Sequence, residues 1–130
     1  MRTNLERWSG KNDVSIRKLK EHDAERIYGD AFKYESVIRA SCDDYRASAF
    51  EEIQEHDDDQ REGRKMDADV LVLYSSDFQA TRGKIEDWED WMGRGKLETK
   101  GFGNGVGHFI AEETPEETAE AIVAFYNSHV

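Results

Sequence analysis

One continuous apolar run limits the folds open to this chain. Residues 70–74 read Val-Leu-Val-Leu-Tyr and are bounded by polar residues on both sides. Such a run is typical of a strand buried on both faces of a parallel sheet. Residues 97–102 predict a second, less marked strand. Since two parallel strands alone do not form a stable sheet, the pattern predicts an α/β fold whose sheet runs on beyond these strands.

The first strand ends in the polar turn Ser75-Ser76-Asp77. In open α/β sheets, ligands bind at the carboxyl ends of the strands. Asp77 is therefore a candidate site residue. The alternative is an aspartate that only bonds local backbone in a turn, which is common for this residue type.

A glycine-rich loop follows the second predicted strand. Residues 101–107 read Gly-Phe-Gly-Asn-Gly-Val-Gly and lead directly to His108. Glycine permits positive φ and close approach of the backbone to other groups. The spacing is not the G-x-G-x-x-G of dinucleotide-binding loops. Either the loop delivers His108 to a defined point as a catalytic group, or it is a turn beside an ordinary histidine.

The last helix has the clearest start signal in the chain. Thr114 is a predicted N-cap, Pro115 occupies the first helical position and Glu117 would complete a capping box. The apolar face of this helix consists of Ala119, Ile122, Val123 and Tyr126.

Upstream, the apolar spacing predicts three helices over residues 15–28, 31–42 and 44–56. Residues 57–59, three aspartates, are expected to end the third helix. Residues 85–92 predict a short amphipathic helix whose aromatic residues anchor it to the core.

The composition restricts the partners of the chain. Of 130 residues, 37% are apolar and 36% are charged, against roughly 45–50% and about 25% in typical globular domains. Either much of the surface of the protein is solvated helix, or the chain is part of a larger assembly or protein. A net charge of -11 argues against nucleic acids and anionic membranes as binding partners.

The sequence shows no signal-peptide or membrane-spanning segment, so a cytoplasmic location is expected.

Neither the single cysteine nor the acidic cluster predicts a metal or a cofactor. Cys42 cannot form an internal disulfide, and a small buried residue is favoured over a reactive thiol. His56 precedes three aspartates, but calcium loops need alternating ligands and a glycine at a set place. A solvated acidic loop is favoured at residues 57–59, and no metal site or cofactor is predicted.

The chain resembles a known enzyme family over nearly its whole length. Residues 107–117, Gly-His-Phe-Ile-Ala-Glu-Glu-Thr-Pro-Glu-Glu, lead into an apolar helix that ends in Phe125-Tyr126. They resemble the C-terminal end of α/β-hydrolases, nearest to the haloacetate (fluoroacetate) dehalogenase group, which is related to epoxide hydrolases. Residues 42–49 resemble the Asp-Tyr-Arg-Ala segment of that group, and residues 70–74 resemble its seventh strand.

The resemblance implies a domain organisation and a set of roles. Residues 1–43 would be a remnant of the helical cap, and residues 44–130 the C-terminal part of the hydrolase core. His108 would be the general base that activates water against a covalent ester intermediate. Tyr45 and Trp8 would help to hold a leaving halide, with simple packing as the alternative for each. Asp77 would be the acid of the catalytic triad, or a loop-capping aspartate.

The sequence also departs from the family. Proline usually precedes this strand and Trp-Gly follows it, whereas Ala68-Asp69 and Tyr74-Ser75 occupy these places. Neither a G-x-S-x-G elbow nor a His-Asp-Arg-Gly segment is present. A histidine base without a nucleophile cannot perform two-step covalent catalysis.

Two functions remain open. The first is the C-terminal part of a dehalogenase-like hydrolase, inactive alone and acting on a small-molecule substrate only when the missing N-terminal half completes it. The alternative is a non-catalytic acidic interaction or structural module. For either, self-association through the exposed sheet edge is expected.

Overall fold

The computed structural model describes residues 7–21, 23–79 and 84–129, which form helices around a small parallel sheet. In chain order the elements are α1 (Asp13–Glu21), α2 (Ala24–Ala31), α3 (Glu35–Glu62), β1 (Val70–Ser75), α4 (Ser76–Gln79), a 3₁₀ helix (Ile85–Trp91), β2 (Leu97–Phe102), α5 (Ile110–Glu113) and α6 (Pro115–Ser128). The predicted α/β class is confirmed.

Both predicted strands are present and pair in parallel. Val70 lies opposite Leu97 and Ser75 lies opposite Phe102. The apolar side chains of β1 are half-buried, and only Ser75 is buried, so the predicted burial on both faces is wrong for the described residues. The reason is that the described sheet has two strands, which leaves one edge of each strand without a neighbouring strand.

The predicted helix over residues 15–28 is two helices. Asp23 stands before α2 with φ 54° and ψ 26°, in the left-handed region. A residue in this conformation ends a right-handed helix, and aspartate adopts it more readily than most residues do. α2 therefore begins as a separate helix at Ala24.

The two helices predicted over residues 31–42 and 44–56 are one helix. α3 runs without a break from Glu35 to Glu62, through residues 43–44 and 57–59. The prediction of an acidic loop at residues 57–59 is wrong because α3 continues to Glu62. Ion pairs support two of the three aspartates, Asp58 with Arg61 at 2.7 Å and Asp59 with Arg64 at 2.5 Å. Gly63, at φ 69°, ends α3, which is the usual role of a left-handed glycine after a helix.

α3 has no buried residue. Cys42 is exposed on it, so the predicted burial of this thiol is wrong. Ile38, four residues before Cys42 on the same helix, is 45% exposed. The thiol faces solvent because no described element covers this side of α3.

The short helix at residues 85–91 is a 3₁₀ helix. With three residues per turn, a 3₁₀ helix aligns residues at i and i+3. Ile85, Trp88 and Trp91 have this spacing, and Ile85 and Trp91 are half-buried while Trp88 is 42% exposed. The predicted anchoring to the core thus applies to the two ends of this helix.

α6 starts where the sequence predicts, with Pro115 at its first position, but the predicted capping box is wrong. Thr114 makes no side-chain capping bond. Its hydroxyl instead donates to the Ile110 carbonyl at 3.0 Å, because α5 ends immediately before α6 and offers that carbonyl.

Several buried residues lie in the glycine-rich loop or bond to it. Among the described residues, the buried apolar side chains are Ala24, Phe102 and Val106. Buried polar residues join them, and Ser15 and Glu113 are each only 1% exposed. The small core therefore lies at the base of the loop that carries His108. Within the described residues, no helix is both long and apolar enough to cross a membrane.

Candidate active site

His108 is carried by a backbone that a distant part of the chain fixes. Its N–H donates to the Trp8 carbonyl at 2.8 Å. The ring centroids of Trp8 and His108 are 6.1 Å apart, and the Phe109 ring meets the imidazole edge-on at 5.1 Å. The His108 side chain is exposed. The arrangement presents an accessible imidazole from an anchored loop.

The carboxylate of Glu113 holds this loop from beneath. Its Oε2 accepts hydrogen bonds from the backbone N–H groups of Gly10, at 2.9 Å, and Gly107, at 2.8 Å. Its Oε1 accepts from the Phe109 N–H at 3.2 Å. One buried carboxylate thus fixes the residues on both sides of His108 and ties them to the segment that follows Trp8.

The other end of the loop rests on the residues that follow β1. Asn104 and Gly105 have φ values of 56° and 79°, so the chain turns through the left-handed region here. The Asp77 carboxylate accepts the Gly105 N–H at 2.9 Å. The Ser75 hydroxyl donates to the Val106 carbonyl at 2.6 Å. These bonds attach the loop to the carboxyl end of β1.

Two glycines are required by close backbone contacts. A Cβ on Gly107 would lie 2.2 Å from the Gly10 nitrogen and 2.6 Å from the Trp8 carbonyl oxygen. A Cβ on Gly10 would lie 2.0 Å from the Gly105 carbonyl oxygen. By contrast, Gly103 has nothing within 4 Å of its Cβ position. The predicted freedom of φ is used at Gly105, and the predicted close approach at Gly107.

The structure brings some of the predicted site residues together. Trp8 and His108 are neighbours, and Asp77 reaches the same loop through Gly105. Among the described residues, no hydrogen bond joins the Asp77 carboxylate to the His108 imidazole. Tyr45 lies on α3 and is 79% exposed, and in the described part of the chain no ring contact or hydrogen bond joins it to His108.

No cluster of three or more histidine, cysteine, aspartate or glutamate side chains among residues 7–21, 23–79 and 84–129 is arranged to hold a metal ion. The chemistry that this arrangement offers is proton transfer by the exposed imidazole of His108.

No family model matches the chain.

Glu113 and Gly10 are the site residues that sequence reasoning missed. Glu113 reads as one of several acidic residues before a helix, and Gly10 as part of a turn. A signal was available, because an acidic residue between a glycine loop and a helix start is well placed to accept free N–H groups. Its partner Gly10 lies 103 residues away, and no local pattern reveals that distance.

A second carboxylate on α5 joins the site to α2. The Tyr28 hydroxyl donates to Glu112 Oε1. This hydrogen bond, with burial and the negative charge of Glu112 as smaller causes, raises the pKa of the Tyr28 phenol above its usual range. The bond therefore holds α2 against the helix that follows His108.

This pair gives a prediction with a definite sign. The pKa of Tyr28 is raised in the folded state, so its contribution to stability is complete below about pH 10, the usual tyrosine pKa, and is lost as the pH rises through the folded-state value. In a spectrophotometric titration of tyrosinate, we expect one of the five tyrosines to ionise last, and Tyr28→Phe to remove that step. Tyr126→Phe is the control, because Tyr126 is 65% exposed. A late step that persists in Tyr28→Phe would contradict the assignment.

Proposed function

We propose that this chain supplies the general-base histidine of a two-step hydrolase similar to haloacetate dehalogenases. The observation that carries the proposal is the exposed His108 imidazole on a loop anchored by Trp8 and Glu113. A catalytic base must be accessible and held in one position, and histidine is the side chain that most often fills this role. The resemblance of residues 107–117 to the hydrolase C-terminus supports it.

The proposed reaction divides the work between two segments. A carboxylate outside this sequence attacks the carbon that bears the halogen; a C–O bond forms, the carbon–halogen bond breaks and halide leaves. His108 then takes a proton from water, and the water oxygen attacks the carbonyl carbon of the enzyme ester. The tetrahedral intermediate collapses to the carboxylic acid of the nucleophile and an alkoxide, which takes the proton from the imidazolium and leaves as a 2-hydroxy acid. The carboxylic acid then releases its proton to solvent, which restores the carboxylate nucleophile.

The other candidate site residues, Trp8, Asp77 and Tyr45, are supported to different degrees. The indole of Trp8, beside His108, is well placed to contact a substrate. Asp77 supports the loop through Gly105, and its role as triad acid requires the carboxylate to turn toward the imidazole. A halide-holding role for Tyr45 stays a prediction, and it requires the exposed face of α3 to lie over His108 in the completed enzyme.

A second candidate function is favoured by one observation. The longest helix of the described chain has no buried residue and exposes several large apolar side chains, which is typical of a surface that binds another molecule. An interaction or structural module would use this surface and would need no chemistry at His108.

The catalytic proposal predicts a specific defect in His108→Ala. The chain is fused to the nucleophile-bearing N-terminal half of a haloacetate dehalogenase and assayed for halide release from fluoroacetate and chloroacetate. In His108→Ala we expect release of about one halide per enzyme and then a loss of turnover of at least 10²-fold, roughly the contribution of a general base. Mass spectrometry should find the carboxymethyl ester on the nucleophile.

The control for this variant is His56→Ala, because His56 is an exposed histidine on α3. It should turn over like the parent fusion. Steady turnover in His108→Ala, or a parent fusion that folds and releases no halide, would contradict the proposed base. The chain alone should release no halide from either substrate.

A further inference from the structure

α3 carries an exposed apolar stripe along one side. Its members recur at intervals of four or seven to eight residues, the spacing that places side chains on one face of a helix. The large side chains of the stripe and their exposed fractions are Tyr34 67%, Ile38 45%, Tyr45 79% and Ile53 54%. Tyr34 stands at the N-cap of the helix. This stripe, called here the α3 stripe, extends along most of the helix.

The charges on α3 are strongly unbalanced. The helix has ten acidic and three basic side chains, a net charge of -7. Each arginine pairs with a carboxylate one turn away: Arg39 with Glu35 at 2.8 Å, Arg46 with Asp43 at 2.5 Å and Arg61 with Asp58 at 2.7 Å. The three arginines of α3 therefore already form ion pairs with carboxylates of the same helix.

Three carboxylates that border the stripe have no ion pair within the described residues. Asp57 follows Ile53 by four residues and so lies next to it, and Glu52 follows Tyr45 by seven residues, on the same face of the helix two turns further on. Glu55 lies one turn beyond Glu52. These carboxylates repel one another, and a cation from another molecule would relieve that repulsion.

The charge pattern decides between the candidate occupants. A second copy of the chain would place carboxylates against carboxylates, and like charges across an interface cost free energy. A basic amphipathic helix fits both features, because its apolar face covers the stripe while its lysines or arginines meet the flanking carboxylates. We propose that the α3 stripe binds a basic amphipathic helix of a partner protein.

The test uses the full chain and a fluorescein-labelled peptide of leucine and lysine, ordered so that one helical face is apolar. A peptide of the same composition in scrambled order is the control. We expect saturable binding of the ordered peptide that weakens as salt is added. The scrambled peptide should bind at least about tenfold more weakly, since it keeps the charge and loses the apolar face.

Matched variants locate the binding surface. Glu52→Gln, Glu55→Gln and Asp57→Asn together should raise the Kd about tenfold, since three charge pairs are lost. Glu86→Gln, Glu89→Gln and Glu120→Gln remove the same charge from exposed positions outside α3 and should change the Kd less than about twofold. Ile38→Ala with Ile53→Ala should weaken binding without unfolding the chain, because both side chains are exposed. Circular dichroism checks the fold of each variant.

Several results would overturn the proposal. Equal effects of the two charge-removing triples would show attraction to the acidic protein as a whole. Equal binding of the ordered and the scrambled peptide would show that the apolar side chains of the α3 stripe do not contribute to binding. Dimers in sedimentation that Ile53→Ala dissociates, with no peptide binding, would assign the face to a second copy. His108→Ala should leave peptide binding unchanged, because His108 lies outside the α3 stripe, and the loss of turnover in the same variant tests the general base separately.

Discussion

Glu113→Ala is expected to destabilise the chain by about 3–5 kcal/mol and to release the His108 loop. The substitution removes the shared acceptor of three backbone N–H groups, those of Gly10, Gly107 and Phe109. Each buried donor left without a partner costs about 1–3 kcal/mol, and the removal of a desolvated carboxylate offsets part of the sum for the three donors. Against a total stability of roughly 5–15 kcal/mol, this is a large fraction.

Glu113→Gln separates the hydrogen bonds from the charge. Glutamine has the same shape, and its one side-chain oxygen can replace Oε2, which accepts from Gly10 and Gly107. Its NH₂ group then meets the Phe109 N–H, donor against donor. We expect a smaller loss of about 1–3 kcal/mol, so the variants should rank in the order parent, Gln, Ala.

Urea unfolding followed by tryptophan fluorescence measures this series, since Trp8 lies beside the loop. Glu117→Gln is the matched control, because it removes the same charge four residues later at an exposed position. It should change the free energy of unfolding by less than about 0.5 kcal/mol. A Glu113→Ala variant as stable as this control would show that the buried carboxylate does not hold the loop together.

The sequence predicts the parts of this fold that local patterns determine. A continuous apolar run gives β1, the Thr-Pro pair gives the start of α6, and the glycine spacing gives a tight loop before His108. Burial depends instead on which elements meet. β1 has the pattern of a fully covered strand, yet its side chains are half-buried. Cys42 has a small apolar side chain, yet it lies on a helix face without a covering element.

In the candidate site, too, the sequence predicts what local patterns determine and does not predict the long-range contacts. His108 and Asp77 are candidates because of their places after the glycine-rich loop and after β1, and Trp8 is a candidate through the family resemblance. The contacts that position the loop join residues far apart in the chain, as the 103-residue separation of Gly10 and Glu113 illustrates. The predicted limits of α3 are wrong for a related reason. Asp58 and Asp59 pair with arginines that follow them in the chain, Arg61 and Arg64, and these pairs partly offset the low helix propensity of aspartate and compete with the turn signal of an acidic run.

Gly107→Ala is expected to displace the loop next to His108 and to destabilise the chain by about 3 kcal/mol or more. The added methyl carbon would lie 2.2 Å from the Gly10 nitrogen, 2.3 Å from the Ser9 carbonyl carbon and 2.6 Å from the Trp8 carbonyl oxygen. All three atoms belong to backbone, so no rotamer change relieves the contact, and overpacking of this kind typically costs about 1–3 kcal/mol or more. The shift should also lengthen the hydrogen bond between the His108 N–H and the Trp8 carbonyl.

Gly103→Ala, in the same loop, is the matched control because it adds the same methyl group where nothing lies within 4 Å. Its φ is not positive, so alanine should be tolerated, and we expect a gain of about 0.4–1 kcal/mol from the reduced entropy of the unfolded chain. Urea unfolding gives the two free energies, and hydrogen exchange at the His108 amide reports the bond to Trp8. If Gly107→Ala and Gly103→Ala have equal stability and equal exchange at His108, the N-terminal segment does not pack against the loop as described. If only Gly107→Ala loses protection there, the segment around Trp8 is what positions the imidazole.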